Sequence, residues 1–267
     1  MRVLVTGGTG VLGGTVVRHL RARGVAVRVL SRRQQHGSSG VEWVQGDLVE
    51  GTGLEEALAD IDVVVHAATS PEQPGNDVEG TRRLLHLARQ AGVEHFLYVS
   101  IVGIDTLDFY PYHTAKLAVE RELVTSGVPY SIQRATQFHE FVAYLLTLLG
   151  RGPLLLLPRG ITLQPMDAGA VGERLAEAAL RPPAGRLPDL AGPEIRSLES
   201  LAQDWRRATG QRKLCLSLPL PHPMFRAMRG GHVTSPAAVQ VGESWQAWLA
   251  RHATEPNRYG LAREGRG

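Results

Sequence analysis

Tyr112 and Lys116 stand four residues apart in the stretch YHTAK. On a helix that spacing is one turn, and it puts both side chains on one face. A phenol beside an ammonium is a pair that can handle protons, because a compact positive charge on a flexible stem lowers the pKa of a neighbouring phenol. Composition gives the lysine weight: Lys116 and Lys213 are the only lysines, and 27 of the 29 basic side chains are arginine. Two readings stand side by side. Lys116 is a leftover surface lysine on an ordinary helix, or it holds a position where a guanidinium cannot do the same work.

A second cluster lies near the start of the chain. VTGGTGVLGG places Gly7, Gly10 and Gly13 directly after the apolar run RVLVT and at the opening of a helical pattern that continues through Arg23. Bare backbone there lets a pyrophosphate approach a helix N-terminus, where unpaired N–H groups and the helix dipole favour an anion. In this strand–turn–helix setting Thr6, Gly7, Thr9, Gly10, Val11, Leu12 and Gly13 are expected to bind a dinucleotide.

The type of dinucleotide is read from the end of the second strand. An acidic residue for a free ribose 2′-hydroxyl belongs about 20 residues beyond the glycines. LSRRQQ stands there instead, with no Asp or Glu before Glu42. Ser31, Arg32 and Arg33 suit a 2′-phosphate, so NADP(H) is expected over NAD(H); the plainer alternative is a solvated basic loop. In GDL, Asp47 either accepts from the adenine amino group, with Leu48 packing nearby, or serves as a helix cap. HAATS ends the fourth strand in small residues. Ala67, Ala68 and Thr69 leave room for a cofactor, and His66 is expected to pack at the strand end rather than to catalyse.

These residues need a scaffold, and the chain supplies an alternating one. RVLVT, VAVRVL, VEWVQ, DVVVHAA, HFLYVS and VPYSIQRA read as six strands, separated by helical patterns at 54–59, 78–91 and 112–126 after the first helix. Continuous β-branched strands alternating with helices imply an α/β doubly wound parallel sheet, Rossmann-like in kind. Gly24, Gly92 and Gly127 sit where helix C-caps belong. Beyond about residue 150 proline and glycine become frequent, and helical patterns at 170–180, 198–209 and 239–252 alternate with short strands. The expected organisation is a dinucleotide-binding core over 1–150, a small C-terminal substrate lobe over 151–252 with elements returning to the core, and a flexible tail over 253–267. The lobe is expected over the carboxyl edge of the sheet, where open α/β sheets bind ligands.

Other classes are disfavoured. A net charge of +3, spread evenly, gives no basic patch for nucleic acid. One cysteine, Cys215, excludes an internal disulfide and reads as a small buried strand residue. The ten histidines lack metal-ligand spacing, so no metal is expected. Residues 2–6 run straight into a strand without a signal peptide, and Gly150, Arg151 and Pro153 cut the longest apolar run below spanning length. A cytoplasmic protein with no membrane partner is expected, as a monomer or homodimer.

Together these motifs carry a resemblance. TGxxGxxG at 6–13, Asp47, HAA at 66–68, DVEGT at 77–81, YVSIVG at 98–103 and YxxxK at 112–116 resemble the short-chain dehydrogenase/reductase superfamily. VEHFLYVSIVGID, QRATQFHEF and LQPMDA are similar to its atypical, NmrA-like NAD(P)H-binding branch, which includes quinone, azo-dye, triphenylmethane and isoflavone-type reductases. The resemblance covers roughly residues 1–250. It implies that Tyr112 protonates the substrate oxygen as hydride arrives, that Lys116 holds the nicotinamide ribose and lowers the tyrosine pKa, and that Ser100 hydrogen-bonds the substrate oxygen. The superfamily's asparagine after strand four is matched by Asp77 or, one residue out of register, by Asn76. The branch also holds members that bind the dinucleotide without turning it over, in which Tyr112 would only line the pocket.

The substrate side is read from Ile101 and Val102 after strand five and from Gln137, Phe138 and His139 after strand six. Phe138 and Phe141 read equally well as core, and Met224, Phe225 and Met228 as an adjustable wall. The expected function is NADPH-dependent reduction of a ketone, a quinone or a similar small apolar unsaturated substrate. The alternative is a non-catalytic NAD(P)-binding redox sensor. Sugar-nucleotide epimerase or dehydratase chemistry ranks third, because the lobe is small and nothing reads as a nucleotide-diphosphate clamp.

Overall fold

The structure is a computed structural model that describes residues 1–35, 40–107, 110–221, 223–256 and 259, without the side chain of Met224. The chain forms two compact units: Met1–Arg134 with Gly172–Pro188, and Ala135–Val171 with Asp189–Gly267. The first unit takes back a later segment, and the sequence boundary near residue 150 falls inside the second.

In the first unit strands and helices alternate as β1 (Arg2–Thr6), α1 (Val11–Ala22), β2 (Ala26–Ser31), β3 (Val41–Gln45), α2 (Leu54–Leu58), β4 (Val63–His66), α3 (Pro74–Gln90), β5 (His95–Ile101), α4 (Pro111–Thr125) and β6 (Tyr130–Ala135). The sheet order is β6-β5-β4-β1-β2-β3. Pairing is parallel from β5 through β3, with Val5 between Val29 and Val65. This is a doubly wound Rossmann-like sheet. Its strands are apolar runs because helices cover both faces. Leu54, Leu58, Leu84, Phe96, Tyr98, Val119 and Leu123 pack into the main core. Gly24, Gly92 and Gly127 are left-handed at the ends of α1, α3 and α4, as C-caps are.

The second unit is built from short pieces. The apolar run after residue 138 splits into helix His139–Leu148 and strand Leu154–Pro158. Helices Leu198–Ala208 and Trp245–His252 are capped by Ser197 and Ser244. The last helix starts later than the sequence pattern indicates, because Val239–Gln240 pairs in parallel with Leu190–Ala191 instead. Trp245 stacks on Trp248 at 5.4 Å and donates its indole N–H to the Leu201 carbonyl. Cys215 is half-buried rather than fully buried, because it lies in an outer strand. The expected tail lies outside the described residues beyond 256, apart from Tyr259. Among the described residues no helix is long and apolar enough to cross a membrane, and no group of acidic, histidine or cysteine side chains is arranged to hold a metal ion.

Candidate active site

The β1–α1 turn makes its site by omitting side chains. Gly7 has φ +70°, and a Cβ there would meet the Ala68 nitrogen at 2.7 Å. A Cβ on Gly13 would lie 2.1 Å from the Gly7 carbonyl oxygen. So Gly7 lets β1 pass close to Ala67 and Ala68, and Gly13 lets α1 begin against the turn. Gly10 caps α1, and no side chain accepts from the first-turn N–H groups. Thr9 and Gly10 are exposed, Val11 is half-buried and Leu12 packs inward. A backbone cradle with free N–H groups fits a dinucleotide pyrophosphate.

Thr6 and His66 brace this cradle. The Thr6 hydroxyl lies 2.7 Å from His66 Nδ1, and His66 Nε2 lies 2.8 Å from the Thr81 hydroxyl. Thr81 donates to the Asp77 carbonyl, so its oxygen must accept from Nε2–H, and Nδ1 then accepts from Thr6. Burial, helped by the Lys116 charge, lowers the imidazole pKa to about 3 and keeps it neutral. His66 is a structural link from β4 to α3, as expected.

At the adenosine side the polar groups are partly committed. The Ser31 hydroxyl donates to the Arg33 carbonyl at 2.9 Å and accepts from the Arg33 N–H. Arg32 is exposed. Asp47 Oδ1 accepts from the N–H groups of Val49 and Glu50 and braces the turn after β3. It does not cap a helix, the alternative to the adenine contact, because α2 begins only at Leu54 with Gly53 as its N-cap. Leu48 lies under Gly80 of α3.

The opposite side of the site is built from α4. Pro111 starts the helix and Tyr112 and Lys116 come next, one turn apart. Lys116 is 5% exposed. Its ammonium donates to the Val99 carbonyl at 3.1 Å and lies 4.8 Å from the Tyr98 ring centre and 5.9 Å from that of Tyr112. Burial lowers the Lys116 pKa to about 8, against the opposing pull of Asp77 and Glu120. One of its three N–H donors is used by Val99.

Tyr112 enters a hydrogen-bond chain. Its hydroxyl is 3.1 Å from the Thr69 hydroxyl, which is 2.5 Å from Asp77 Oδ2. Thr69 has one proton and a carboxylate only accepts. Thr69 therefore donates to Asp77 and is left to accept from Tyr112. Asp77 Oδ1 takes the Ser70 N–H at 2.6 Å. Burial raises the Asp77 pKa, held back by Thr69, Lys116 and Ser70. The Tyr112 phenol is shifted upward, by burial first and then by the charge of Asp77. This differs from the expected lowering by Lys116, because the ammonium sits by the rings rather than at the hydroxyl. The neighbouring Ser100 is 3% exposed, and its hydroxyl has no hydrogen-bond partner.

A buried ion network lies behind this cluster. Arg134 Nε and Nη2 donate to the two oxygens of Glu120 at 2.7 and 2.6 Å, and the same guanidinium pairs with Asp105. Glu120 is one turn beyond Lys116 on α4, and Asp105 lies just past Ile101 and Val102. The network ties β6, α4 and the segment after β5 together. Val102 is buried and Ile101 half-buried.

Gln137, Phe138 and His139 belong to the second unit. Gln137 donates to the Val233 carbonyl and accepts from the Gln164 N–H. His139 is wholly buried, with Nε2 3.1 Å from the Glu243 carbonyl. Phe138 bridges to Met166, and Phe141 meets Tyr259 edge-on at 5.9 Å. Gln137 and His139 thus hydrogen-bond within their own unit, and Phe138 is half-buried. Phe225 and Met228 lie on helix Pro223–Arg229; the Met224 side chain lies outside the described residues.

A parallel sheet with a bare-backbone turn after β1 and a Tyr-x-x-x-Lys pair on α4 defines an atypical short-chain dehydrogenase/reductase that binds a nicotinamide dinucleotide. The chain belongs to the NAD(P)H-binding family, whose description matches residues 7–144. It is 28% identical over 180 residues to the "Photosystem II assembly factor Ycf39" of Trieres chinensis, covering 62% of this chain and 56% of that protein. Over 115 residues it is 34% identical to a 4-hydroxy-2-methyl-3-oxo-4-farnesyl-3,4-dihydroquinoline-1-oxide ketoreductase of Stigmatella aurantiaca, covering 39% of this chain and 34% of that one. The chain thus spans about half the length of the first relative and a third of the second. A nucleoside-diphosphate-sugar epimerase of Staphylococcus aureus superposes with a TM-score of 0.79 at 18% identity, over 94% of this chain and 100% of that one. That likeness shows the fold.

Proposed function

We propose that the chain is an NADPH-dependent reductase that acts on a ketone, a quinone or a similar apolar unsaturated compound. The observation that carries this is the Tyr112–Thr69–Asp77 hydrogen-bond chain beside the buried Lys116 ammonium. The dinucleotide, when bound, supplies hydride to the electrophilic carbon. Tyr112 holds the proton for the substrate oxygen, and its raised pKa keeps it protonated at neutral pH. The phenolate left behind is held by the Thr69 hydroxyl and regains its proton from solvent, because the Asp77 carboxylate only accepts. Lys116 has donors left for a ribose hydroxyl. Ser100 offers its unmet hydroxyl to the substrate oxygen, which relieves a buried-group cost of about 1–3 kcal/mol. Exposed Arg32, with Arg33 beside it, supports the preference for a 2′-phosphate. The ketoreductase relative agrees with this chemistry.

A second reading, a non-catalytic NAD(P)-binding redox sensor, is favoured by one observation. Lys116 stands by the ring of Tyr112 and leaves the phenol a weak acid. The relative named as an assembly factor is consistent with it. The test is NADPH oxidation against a panel of ketones and quinones, with cofactor binding titrated in parallel. Turnover of any panel member supports the reductase; tight cofactor binding with no turnover across the panel selects the sensor.

A further inference from the structure

The second unit presents a sheet face that its own chain leaves half bare. Strand Leu214–Leu218 pairs in parallel with strand Leu154–Pro158, with Leu214 opposite Leu154 and Leu216 opposite Leu156. Registered residues point to one side of a sheet and alternate residues to the other. Cys215 and Ser217 point toward helix Leu198–Ala208, where Arg206 reaches Cys215 Sγ at 3.5 Å and Ser217 donates to Glu199 at 2.7 Å. The other side collects Leu154, Leu156, Leu214, Leu216 and Leu218. The last three are 60%, 37% and 38% exposed. Leu214–Leu218 is an edge strand, and its sequence LCLSL has none of the charges or prolines that usually protect an edge.

The two chain segments that form this face and its ends carry one sign of charge. Residues 148–160 and 211–229 contain no Asp or Glu, but they contain Arg151, Arg159, Arg212, Lys213, Arg226 and Arg229. Arg151 is in register with Leu154, which places it on the leucine side. Lys213 donates to the Gly152 carbonyl at 2.6 Å at one end of the strands. At the other end Arg159 donates to the Ser217 carbonyl at 3.0 Å, and Arg229 to the Arg159 carbonyl at 3.3 Å. Among the described residues none of the six pairs with a carboxylate. The hydrogen bonds of Lys213, Arg159 and Arg229 to carbonyls fix the positions of those three and leave their charge uncompensated.

We propose that this face docks on an anionic lipid surface, with the leucines at the acyl boundary and the cations among the headgroups. Apolar side chains ringed by basic ones are the two signals that interfacial binding needs. A second copy of the chain fits worse, because a two-fold contact would set the same cations against each other. The expectation of no membrane partner rested on the lack of a spanning segment, and surface docking needs none. The proposal is independent of whether the chain turns over a substrate.

The test is co-sedimentation of the full chain with vesicles of phosphatidylcholine alone or with roughly one-third phosphatidylglycerol. Binding is expected to the anionic vesicles, at least about tenfold above the neutral ones, and to weaken as salt rises. Leu214→Glu with Leu216→Glu should reduce it by about tenfold or more. Arg151→Glu with Arg212→Glu, both at exposed positions, should reduce it by about fivefold for each cation removed. Thermal melts by circular dichroism check that the variants fold, and the arginine pair carries the test if the leucine pair does not. Four results would overturn the proposal: no sedimentation, equal binding to both vesicles, variants that bind like wild type, or binding to soluble polyglutamate as strong as to vesicles. A dimer in light scattering that the leucine variant dissociates, without lipid binding, would assign the face to self-association instead.

Discussion

The two sides of the cofactor-binding unit make their sites in opposite ways. The β1–α1 turn works by absence: no Cβ at Gly7 or Gly13 and no side chain capping α1 leave backbone N–H groups open to an anion. The α4 side works by presence: Lys116, Glu120 and Arg134 are all buried, with Asp77 and Asp105 at the margins. A site of the first kind tolerates changes of the ligand's details, because backbone reads only phosphate. A site of the second kind depends on each charge having its partner, since a buried charge left alone costs far more than a pair contributes. The α4 side should therefore show the steep effects of mutation.

The steepest expected effect is on chemistry. Tyr112→Phe keeps the ring but removes the proton donor and its bond to Thr69. Turnover should fall by about 10²–10⁴-fold, with the cofactor dissociation constant nearly unchanged. Steady-state kinetics with a parallel cofactor titration check this. If the variant is as fast as wild type, no acid on this helix is needed and Tyr112 is only a wall. The next effect is on stability. Arg134→Met leaves the buried Glu120 carboxylate unpaired and should cost about 3–5 kcal/mol in chemical denaturation. Asp105 is 60% exposed, so Asp105→Asn should cost less than about 1 kcal/mol. Equal losses in the two variants would mean that the network does not act through Glu120.

The same contrast explains what the sequence discloses. The glycine turn, the six strands and the caps are local patterns, set by residues a few positions apart, and they stand where the sequence puts them. Tyr112 and Lys116 are legible for the same reason: one helical turn joins them. Arg134 meets partners 14 and 29 residues away in the chain, and no short pattern marks such a pair. Asp77 is visible only as a mismatch to the expected asparagine. Its link to Tyr112 runs through Thr69, which small-residue reasoning gives to the cofactor. Gln137 and His139 are polar residues after a strand, so they read as ligand contacts, but their hydrogen bonds go to carbonyls and amides of the second unit. Sequence type alone does not separate those two uses.

The buried lysine gives a pH signature. Its pKa is about 8 in the folded chain against 10.5 in its ordinary state. Between those values the unfolded chain holds the extra proton, so unfolding takes up a proton and stability rises with pH. Below about pH 8 both states are protonated and the desolvation penalty of Lys116 is present in full. From pH 8 to 10.5 the penalty fades, by at most roughly 3 kcal/mol. Wild type compared with Lys116→Met in urea at stepped pH isolates this group. A stability difference that stays constant across the window would place the lysine in water rather than in the core. Turnover should move the other way, falling above about pH 8 as the ammonium is lost.

The remaining effect lies on the permissive side of the comparison, at the end of β2. Arg32 is exposed and Ser31 is already engaged with the Arg33 backbone. If a 2′-phosphate is recognised here, the guanidinium of Arg32 gives most of the discrimination, because a charge-assisted hydrogen bond outweighs that of a hydroxyl with another partner. Arg32→Asp should weaken NADPH binding by about 1.5–3 kcal/mol and leave NADH nearly as before. Ser31→Ala should cost NADPH much less, since the hydroxyl must first give up its bond to the Arg33 carbonyl. Calorimetric titration of both cofactors against both variants measures the two differences. Equal losses of NADPH and NADH in Arg32→Asp would mean that the arginine acts on the common pyrophosphate or on the fold. The loop would then be solvated, and the chain would have no preference between the two cofactors at this position.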